Sequence, residues 1–176
     1  PLGLREGKDA MALKTYVPEG ACAPASQIGA TLEALGATIA RRRDADESSY
    51  THRLLSGNVD GVLKKVMEEA GEVALAAKDV ESWATASLAA AVACGAVDEG
   101  AEGEGPLPVA LPQEYGRAVD HLRYEAADVV YHLLVVLERY GVTLDEFAAE
   151  LNERMTEAER PCGAVRLHPA YVNRGR

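Results

Sequence analysis

The sequence has 176 residues, of which 48% are hydrophobic, 26% are charged and 5% are aromatic, and its formal net charge is −10. This length and composition predict one globular domain with its own core and argue against two large domains. The negative charge would repel a phosphate backbone, which argues against a nucleic-acid partner, and the longest apolar stretch, residues 83–97, falls short of the roughly 20 residues of a membrane span.

The first 25 residues predict no regular structure. Residues 1–10 contain no methionine and Met11 follows them, which is as typical of an added leader as of native chain. Two prolines and a glycine interrupt residues 13–26. We therefore interpret residues 1–25 as a disordered lead-in.

The first helix is predicted over residues 26–43. Its apolar side chains recur at spacings of four, three and four, which is typical of a helix that packs against a partner helix. These side chains are Ile28, Leu32, Leu35 and Ile39. A short helix is predicted over residues 51–55, and the Ser-Gly-Asn sequence after it ends it.

The second helix is predicted over residues 59–78 and carries an apolar stripe. The stripe consists of Val62, Val66, Ala70, Val73 and Ala77. Residues 80–97 are rich in alanine and predict a weakly specified helix. Residues 98–113 combine glycines, prolines and glutamates, a composition typical of a mobile loop.

The third helix is predicted over residues 114–140, with Gly141 as its C-terminal cap. Thr143 and Glu146 have the spacing of a capping box, which predicts the start of a fourth helix. That helix is expected to end near Arg160, because Pro161 follows.

These elements predict an all-α fold, an antiparallel helical bundle of four to five helices. The domain is expected over residues 26–160, followed by a tail over 161–176. The apolar seams of four helices exceed what one short bundle would bury, so we expect a homodimer to complete the bundle.

Three cysteines indicate the compartment. Cys22, Cys94 and Cys162 are far apart, odd in number and form no Cys-x-x-Cys pair. This pattern is typical of free thiols in a reducing compartment, and we expect a cytoplasmic location.

Two pairs of carboxylates stand out on the predicted helices. Glu69 and Glu72 are three apart on the second helix, with Glu68 beside them, and Glu125 and Asp128 are three apart on the third. At about 100° per residue, both pairs fall on the flanks of the apolar stripes, near a helix–helix seam. His132 follows Asp128 by one turn.

Acidic side chains at such a seam repel each other, and partial burial increases the cost. A divalent cation would remove this cost, and carboxylate oxygens suit Mg²⁺, with Mn²⁺ as a second possibility, better than zinc. The alternative interpretation is a solvated acidic face. Two matching motifs favour the metal site, with Glu69, Glu72, Glu125 and Asp128 as ligands.

Four segments resemble a known family. They are Ser49–Thr51, Lys64–Val73, Ala76–Lys78 and Tyr124–Leu134. These segments resemble phosphoribosyl-ATP pyrophosphohydrolase, which is related to the all-α nucleotide pyrophosphohydrolases with a Glu-x-x-Glu and a later Glu-x-x-Asp motif. The resemblance covers about residues 26–155.

The resemblance implies metal-dependent hydrolysis of phosphoribosyl-ATP to phosphoribosyl-AMP and pyrophosphate, the second step of histidine biosynthesis, by a dimer. One region departs from the family, in which the link between the two motifs is usually short. Residues 80–119 here contain an insertion, either a surface addition or a lid, and this puts the details of substrate binding in doubt.

Several side chains are candidates for the chemistry. Glu68 or Glu69 is the expected general base. The candidate substrate contacts, each with a structural alternative, are Lys65 (or a helical partner of Glu69), Lys78 (or a solvated surface residue), Tyr50 (or a core residue) and Arg43 (or a helix-terminal charge). For His132, packing within the seam is favoured over metal binding.

Three other functions are compatible with parts of the pattern. A housecleaning (d)NTP pyrophosphohydrolase would share both acidic motifs. A di-iron carboxylate bundle needs Glu-x-x-His motifs, but His121 and His132 each lie four residues from an acid. A non-catalytic helical dimer module would use the apolar seams and bind no metal.

Overall fold

A computed structural model describes the backbone of residues 5–6 and the whole of residues 26–96 and 109–167. Within these ranges it contains five α-helices: α1 Gln27–Arg41, α2 Tyr50–Ser56, α3 Val59–Ala93, α4 Gln113–Arg139 and α5 Leu144–Asn152. A 3-10 turn, Arg42–Asp44, follows α1. Two two-residue strands, β1 Arg5–Glu6 and β2 Ala110–Leu111, pair in parallel. The predicted all-α class is confirmed.

The predicted lead-in lies outside the described residues apart from β1, as do residue 97, residues 98–108 of the predicted loop and residues 168–176 of the tail. The chain divides into two compact units. Unit 1 comprises Pro1–Glu19 and Met67–Val129, and unit 2 comprises Gly20–Val66 and Val130–Arg176. Helices α3 and α4 therefore contribute residues to both units. No helix of the described chain is long and apolar enough to cross a membrane.

Helix α3 is longer than the predicted second helix, since it continues past Lys78 to Ala93. Residues 72–93 contain neither glycine nor proline and are rich in alanine, so nothing in the chain interrupts the backbone hydrogen bonds. The helix ends where Gly95 adopts a φ of 69°, a left-handed conformation that glycine accepts readily. The first part of the predicted insertion is thus a direct extension of the helix that carries Glu69.

Unit 2 contains the main apolar core. Its buried members are Ile39, Leu54, Leu55, Val62, Leu134 and Val135. Three of the four residues in the predicted α1 seam join this cluster, whereas Ile28 is 68% exposed. The Arg139 guanidinium donates to the backbone carbonyls of Leu54, Leu55 and Gly57 at 2.7–2.8 Å, and so satisfies acceptors that the short helix α2 leaves open.

Helix α5 begins as predicted but ends early. Thr143 and Glu146 form the expected capping box. The helix stops at Asn152, and the prediction that it reaches Arg160 is wrong. The Arg160 side chain folds back to donate to the Asn152 carbonyl at 2.8 Å, and Asn152 donates to the Val165 carbonyl at 2.9 Å, so the chain after α5 turns back along it instead of extending it.

Candidate metal centre

Three carboxylates converge in unit 1. Glu69 and Glu72 lie on α3, where three-residue spacing places them on adjacent turns of one face, and Glu125 lies on α4. One oxygen from each lies within 4.8 Å of one oxygen from each of the others. The sequence predicted that these acids would meet, and over the described residues they form the set of metal-binding side chains that satisfies this distance.

Two of the three acids are almost completely buried. Glu69 is 5% exposed and Glu125 is 6% exposed, whereas Glu72 is exposed to solvent. A buried carboxylate is costly unless it is protonated, hydrogen-bonded or neutralised by a cation. The arrangement therefore concentrates negative charge where water can stabilise only part of it.

Glu69 and Glu125 occupy buried positions of their helices, and the prediction that they lie on the flanks of the buried stripes is wrong for these two acids. Along α3 the buried positions are Val62, Glu69 and Ala76, and along α4 they include Ala118, Glu125 and His132, both at seven-residue spacing. Ala70 and Ala77, which belong to the predicted stripe of the second helix, are exposed. A hydropathy pattern counts only apolar residues and therefore leaves out an acid on the buried face. The predicted stripe is then displaced to one side of that acid.

The close approach of the carboxylates changes the pKa of Glu72. A hydrogen bond with Glu69 is the main cause that raises the pKa of Glu72 above its ordinary value. Partial desolvation and repulsion from Glu125 and Glu69 raise this pKa further. A hydrogen bond between two carboxyl groups requires a shared proton, so the raised pKa of Glu72 reflects a proton for which a divalent cation would compete.

Glu125 has a partner on its own helix. The imidazole Nε2 of His121, one turn earlier on α4, lies 2.8 Å from Glu125 Oε1. The sequence analysis considered His121 only as part of a di-iron motif and did not assign it to the site. The sequence signal that could have assigned His121 to the site is its four-residue spacing from Glu125, because such pairs face each other on a helix.

The other predicted site residues are placed as follows. Asp128 is half-buried one turn after Glu125, and Glu68 is exposed beside Glu69; neither belongs to the set within 4.8 Å. Lys78 is exposed on α3, and Lys65 is half-buried on the same helix. The roles assigned to these four residues stay predictions.

Tyr50 and Arg43, both in unit 2, have identified partners. The Tyr50 hydroxyl lies 3.0 Å from Nε2 of His132, which is 4% exposed, and the edge of one ring faces the other. The Arg43 guanidinium donates to the Glu138 carboxylate at 2.8 Å and to its backbone carbonyl at 2.7 Å. Tyr50 remains 44% exposed, so it can reach a ligand, while Arg43 links the end of α1 to α4.

Comparison with known proteins tests the resemblance. The profile of the family described as phosphoribosyl-ATP pyrophosphohydrolase matches residues 32–155, which is more than half of the chain. The chain belongs to this family. Both carboxylate-bearing helical segments lie inside the matched region.

Individual relatives agree with the family assignment. The chain is 37% identical over 125 residues to the phosphoribosyl-ATP pyrophosphatase of Erythrobacter litoralis, a match covering 70% of this chain and 85% of the relative. It is 31% identical over 124 residues to the corresponding protein of Dechloromonas aromatica, covering 70% and 81%. A match to the longer histidine biosynthesis bifunctional protein of Bacillus subtilis, 31% identical over 119 residues, covers 68% of this chain and 39% of that protein. No solved structure matches the chain significantly.

Proposed function

We propose that the chain hydrolyses phosphoribosyl-ATP to phosphoribosyl-AMP and pyrophosphate, the second step of histidine biosynthesis, and that the carboxylate cluster is its catalytic centre. The observation that carries the proposal is the convergence of Glu69, Glu72 and Glu125 in a member of this family. A solvated acidic face would not bury two of its three acids.

We propose Mg²⁺, with Mn²⁺ as a substitute, as the cation that this cluster holds. The donor set consists of oxygens only, which suits these hard cations. The raised pKa of Glu72 indicates negative charge in excess of what the protein neutralises, and this is the environment in which a divalent cation binds. Asp128, half-buried on the same helix as Glu125, is the proposed further ligand.

The bound cation would neutralise substrate phosphates and polarise the phosphorus under attack. Glu68 or Glu69 accepts a proton from the attacking water, and the exposed Glu68 is the better placed to exchange that proton with solvent. Lys65, Lys78, Arg43 and Tyr50 are the proposed contacts for the phosphates and the nucleoside. The cationic side chains among them would stabilise charge that spreads over phosphate oxygens.

Pyrophosphate release tests this proposal. We expect turnover of phosphoribosyl-ATP that requires Mg²⁺ and is lost in Glu72→Gln and in Asp128→Asn, with unchanged circular dichroism. Glu81→Gln, the same substitution at an exposed position of α3, is the matched control and should keep full activity. Turnover of dUTP or dCTP without turnover of phosphoribosyl-ATP would replace the proposal with a housecleaning pyrophosphohydrolase, and full activity in both site variants would contradict the metal assignment.

We also propose a homodimer that uses the outer face of α3 in unit 1. Met67 and Leu75 are 74% and 68% exposed, and Ala70, Gly71 and Ala74 between them are exposed too. Glu69 and Ala76 are buried on the opposite side of α3, so this apolar face remains exposed and a partner would cover it.

Light scattering after size-exclusion chromatography measures the mass directly. We expect about twice the chain mass of 18.7 kDa. Met67→Glu combined with Ala74→Glu should halve it, whereas Ala34→Glu, at an exposed position of α1, should leave it unchanged. A monomeric parent chain would contradict the dimer.

Cys94 and Cys162, both exposed and reduced, support the further proposal of a cytoplasmic location.

A further inference from the structure

His121 is a largely exposed residue whose side chain reaches a buried acid. Its side chain is 56% exposed, yet its Nε2 atom lies 2.8 Å from Oε1 of the buried Glu125 carboxylate. When a carboxylate binds a cation it is ionised and only accepts hydrogen bonds, and in that state Nε2 is the nitrogen that donates. The pair connects the solvent-facing side of α4 with the carboxylate cluster.

We propose that His121 is a positioning residue that holds the Glu125 carboxylate in place for the divalent cation. This proposal rests on the proposed metal-dependent function. It assigns His121 no contact with substrate and no proton transfer; the residue acts only through Glu125.

The need for such a residue follows from the charges in the cluster. Glu125 has oxygens of Glu69 and Glu72 within 4.8 Å, and repulsion from these would favour rotamers that turn its carboxylate away. A hydrogen bond from His121 to Oε1 opposes that rotation. Because a carboxylate has two oxygens with about four acceptor positions, this bond leaves acceptor positions on Glu125 for a cation.

The geometry also distinguishes a positioning residue from a ligand. Among the described residues, the set whose candidate ligand atoms lie within 4.8 Å of one another contains three carboxylates and no imidazole nitrogen. His121 thus lies outside the cluster and contacts one of its members. Partners of this kind orient metal ligands, and their loss typically weakens metal affinity about 10-fold to 100-fold.

Two substitutions of His121 distinguish positioning of the Glu125 carboxylate from direct metal binding by His121. His121→Ala removes the donor, whereas His121→Gln keeps a neutral N–H donor at about the same reach without imidazole's ability to bind a metal. Arg117→Ala is the matched control, since Arg117 makes a hydrogen bond to Gln113 one turn back on the same helix, at 3.0 Å and on an exposed surface. Circular dichroism checks that all three variants fold.

The first readout is Mn²⁺ binding without substrate, by calorimetry and by electron paramagnetic resonance of free Mn²⁺. We expect His121→Ala to raise the Kd for Mn²⁺ at least about 10-fold, His121→Gln to stay within about threefold of the parent chain, and Arg117→Ala to equal it. The second readout is turnover against Mg²⁺ concentration. His121→Ala should need more Mg²⁺ for half-maximal rate but approach the parental rate at saturation, which general structural damage would not produce.

Each other outcome contradicts a specific statement. Parental Mn²⁺ affinity in His121→Ala overturns the proposal and leaves the metal centre intact. Equal loss in His121→Gln and His121→Ala overturns it too, because His121 would then bind the metal itself. A parent chain that binds no Mn²⁺ overturns the proposed metal function and this inference with it.

Discussion

The two units of the chain bury different kinds of side chain. Unit 2 buries large aliphatic residues such as Ile39, Leu55 and Leu134 in one cluster. Unit 1 buries the acids Glu69 and Glu125 in addition to the aliphatic residues Ala76, Val109, Leu111 and Ala118. Burying aliphatic surface stabilises a fold by about 25 cal/mol per Å². Burying an acid costs free energy unless a hydrogen-bond partner or a cation compensates for the lost hydration. We therefore expect unit 2 to contribute more to stability and the proposed metal site to lower the stability of unit 1.

The largest effect is expected from a substitution that removes charge from unit 1. Glu125→Gln should lower the turnover of phosphoribosyl-ATP at least about 100-fold, since it removes a proposed metal ligand, without lowering the melting temperature of the metal-free protein. Steady-state kinetics and calorimetric melting in EDTA measure the two quantities. Glu81→Gln again serves as the exposed control on α3. A variant that keeps its activity but melts earlier would show that Glu125 serves the fold.

The reverse result is expected in unit 2. Ile39→Ala should lower the free energy of unfolding by about 2–5 kcal/mol, because Ile39 is 1% exposed and leaves a cavity in the apolar cluster. Its turnover should remain close to that of the parent chain below the melting transition. Ile28→Ala is the matched control on the same helix: with 68% exposure, it should change stability by less than about 0.5 kcal/mol in urea unfolding. Equal losses from both variants would contradict the assignment of this core.

A smaller effect is expected at the start of α5. Thr143 Oγ1 accepts from the Glu146 N–H at 3.1 Å, and the Glu146 carboxylate accepts from the Thr143 N–H at 2.9 Å. Thr143→Ala should cost about 1 kcal/mol of stability, measured by urea unfolding. Thr156→Ala removes a similar contact to Glu159, but no helix follows it, so a smaller loss is expected. A larger loss at Thr156 would mean that the turn after α5 contributes more than the helix cap.

The smallest expected effect is a pH dependence of stability that arises from Glu72 in unit 1. Because the pKa of Glu72 is raised in the folded protein, the folded state holds this proton more tightly than the unfolded state does. The resulting stabilisation is complete below the ordinary glutamate pKa of 4.5 and is lost as the pH rises through the raised pKa. In EDTA, Glu72→Gln should therefore melt higher than the parent chain at about pH 7 and together with it at about pH 4.

In Mn²⁺ at about pH 7, the parent chain should melt higher than Glu72→Gln, which reverses the order expected in EDTA. The reason is that the parent chain binds the cation and the variant binds it less well. Melting curves with EDTA and with Mn²⁺ measure both halves of the prediction. A parent chain that is as stable as the variant at every pH in EDTA would show that the Glu72 proton does not contribute to stability.

Much of the fold could be predicted from local patterns. The starts of α1, α3, α4 and α5 lie within one residue of their predicted positions, since caps such as Ser26 and Thr143 act on backbone groups a few residues away. The family, and the four acids proposed as ligands, also followed from the sequence. The end of α5 did not, because it depends on Arg160 returning to Asn152 from eight residues further along.

The sequence by itself determined which segments are helical and which acids are proposed to carry the chemistry. Helix propensity, capping and the three-residue spacing of acids are properties of consecutive residues, so no tertiary contact is needed to recognise them. Only the tertiary structure decided that Glu69 and Glu125 lie at buried positions of their helices. An acid is stable at a core position because of what other residues bring to it, and a pattern of hydropathy along one helix does not contain those residues.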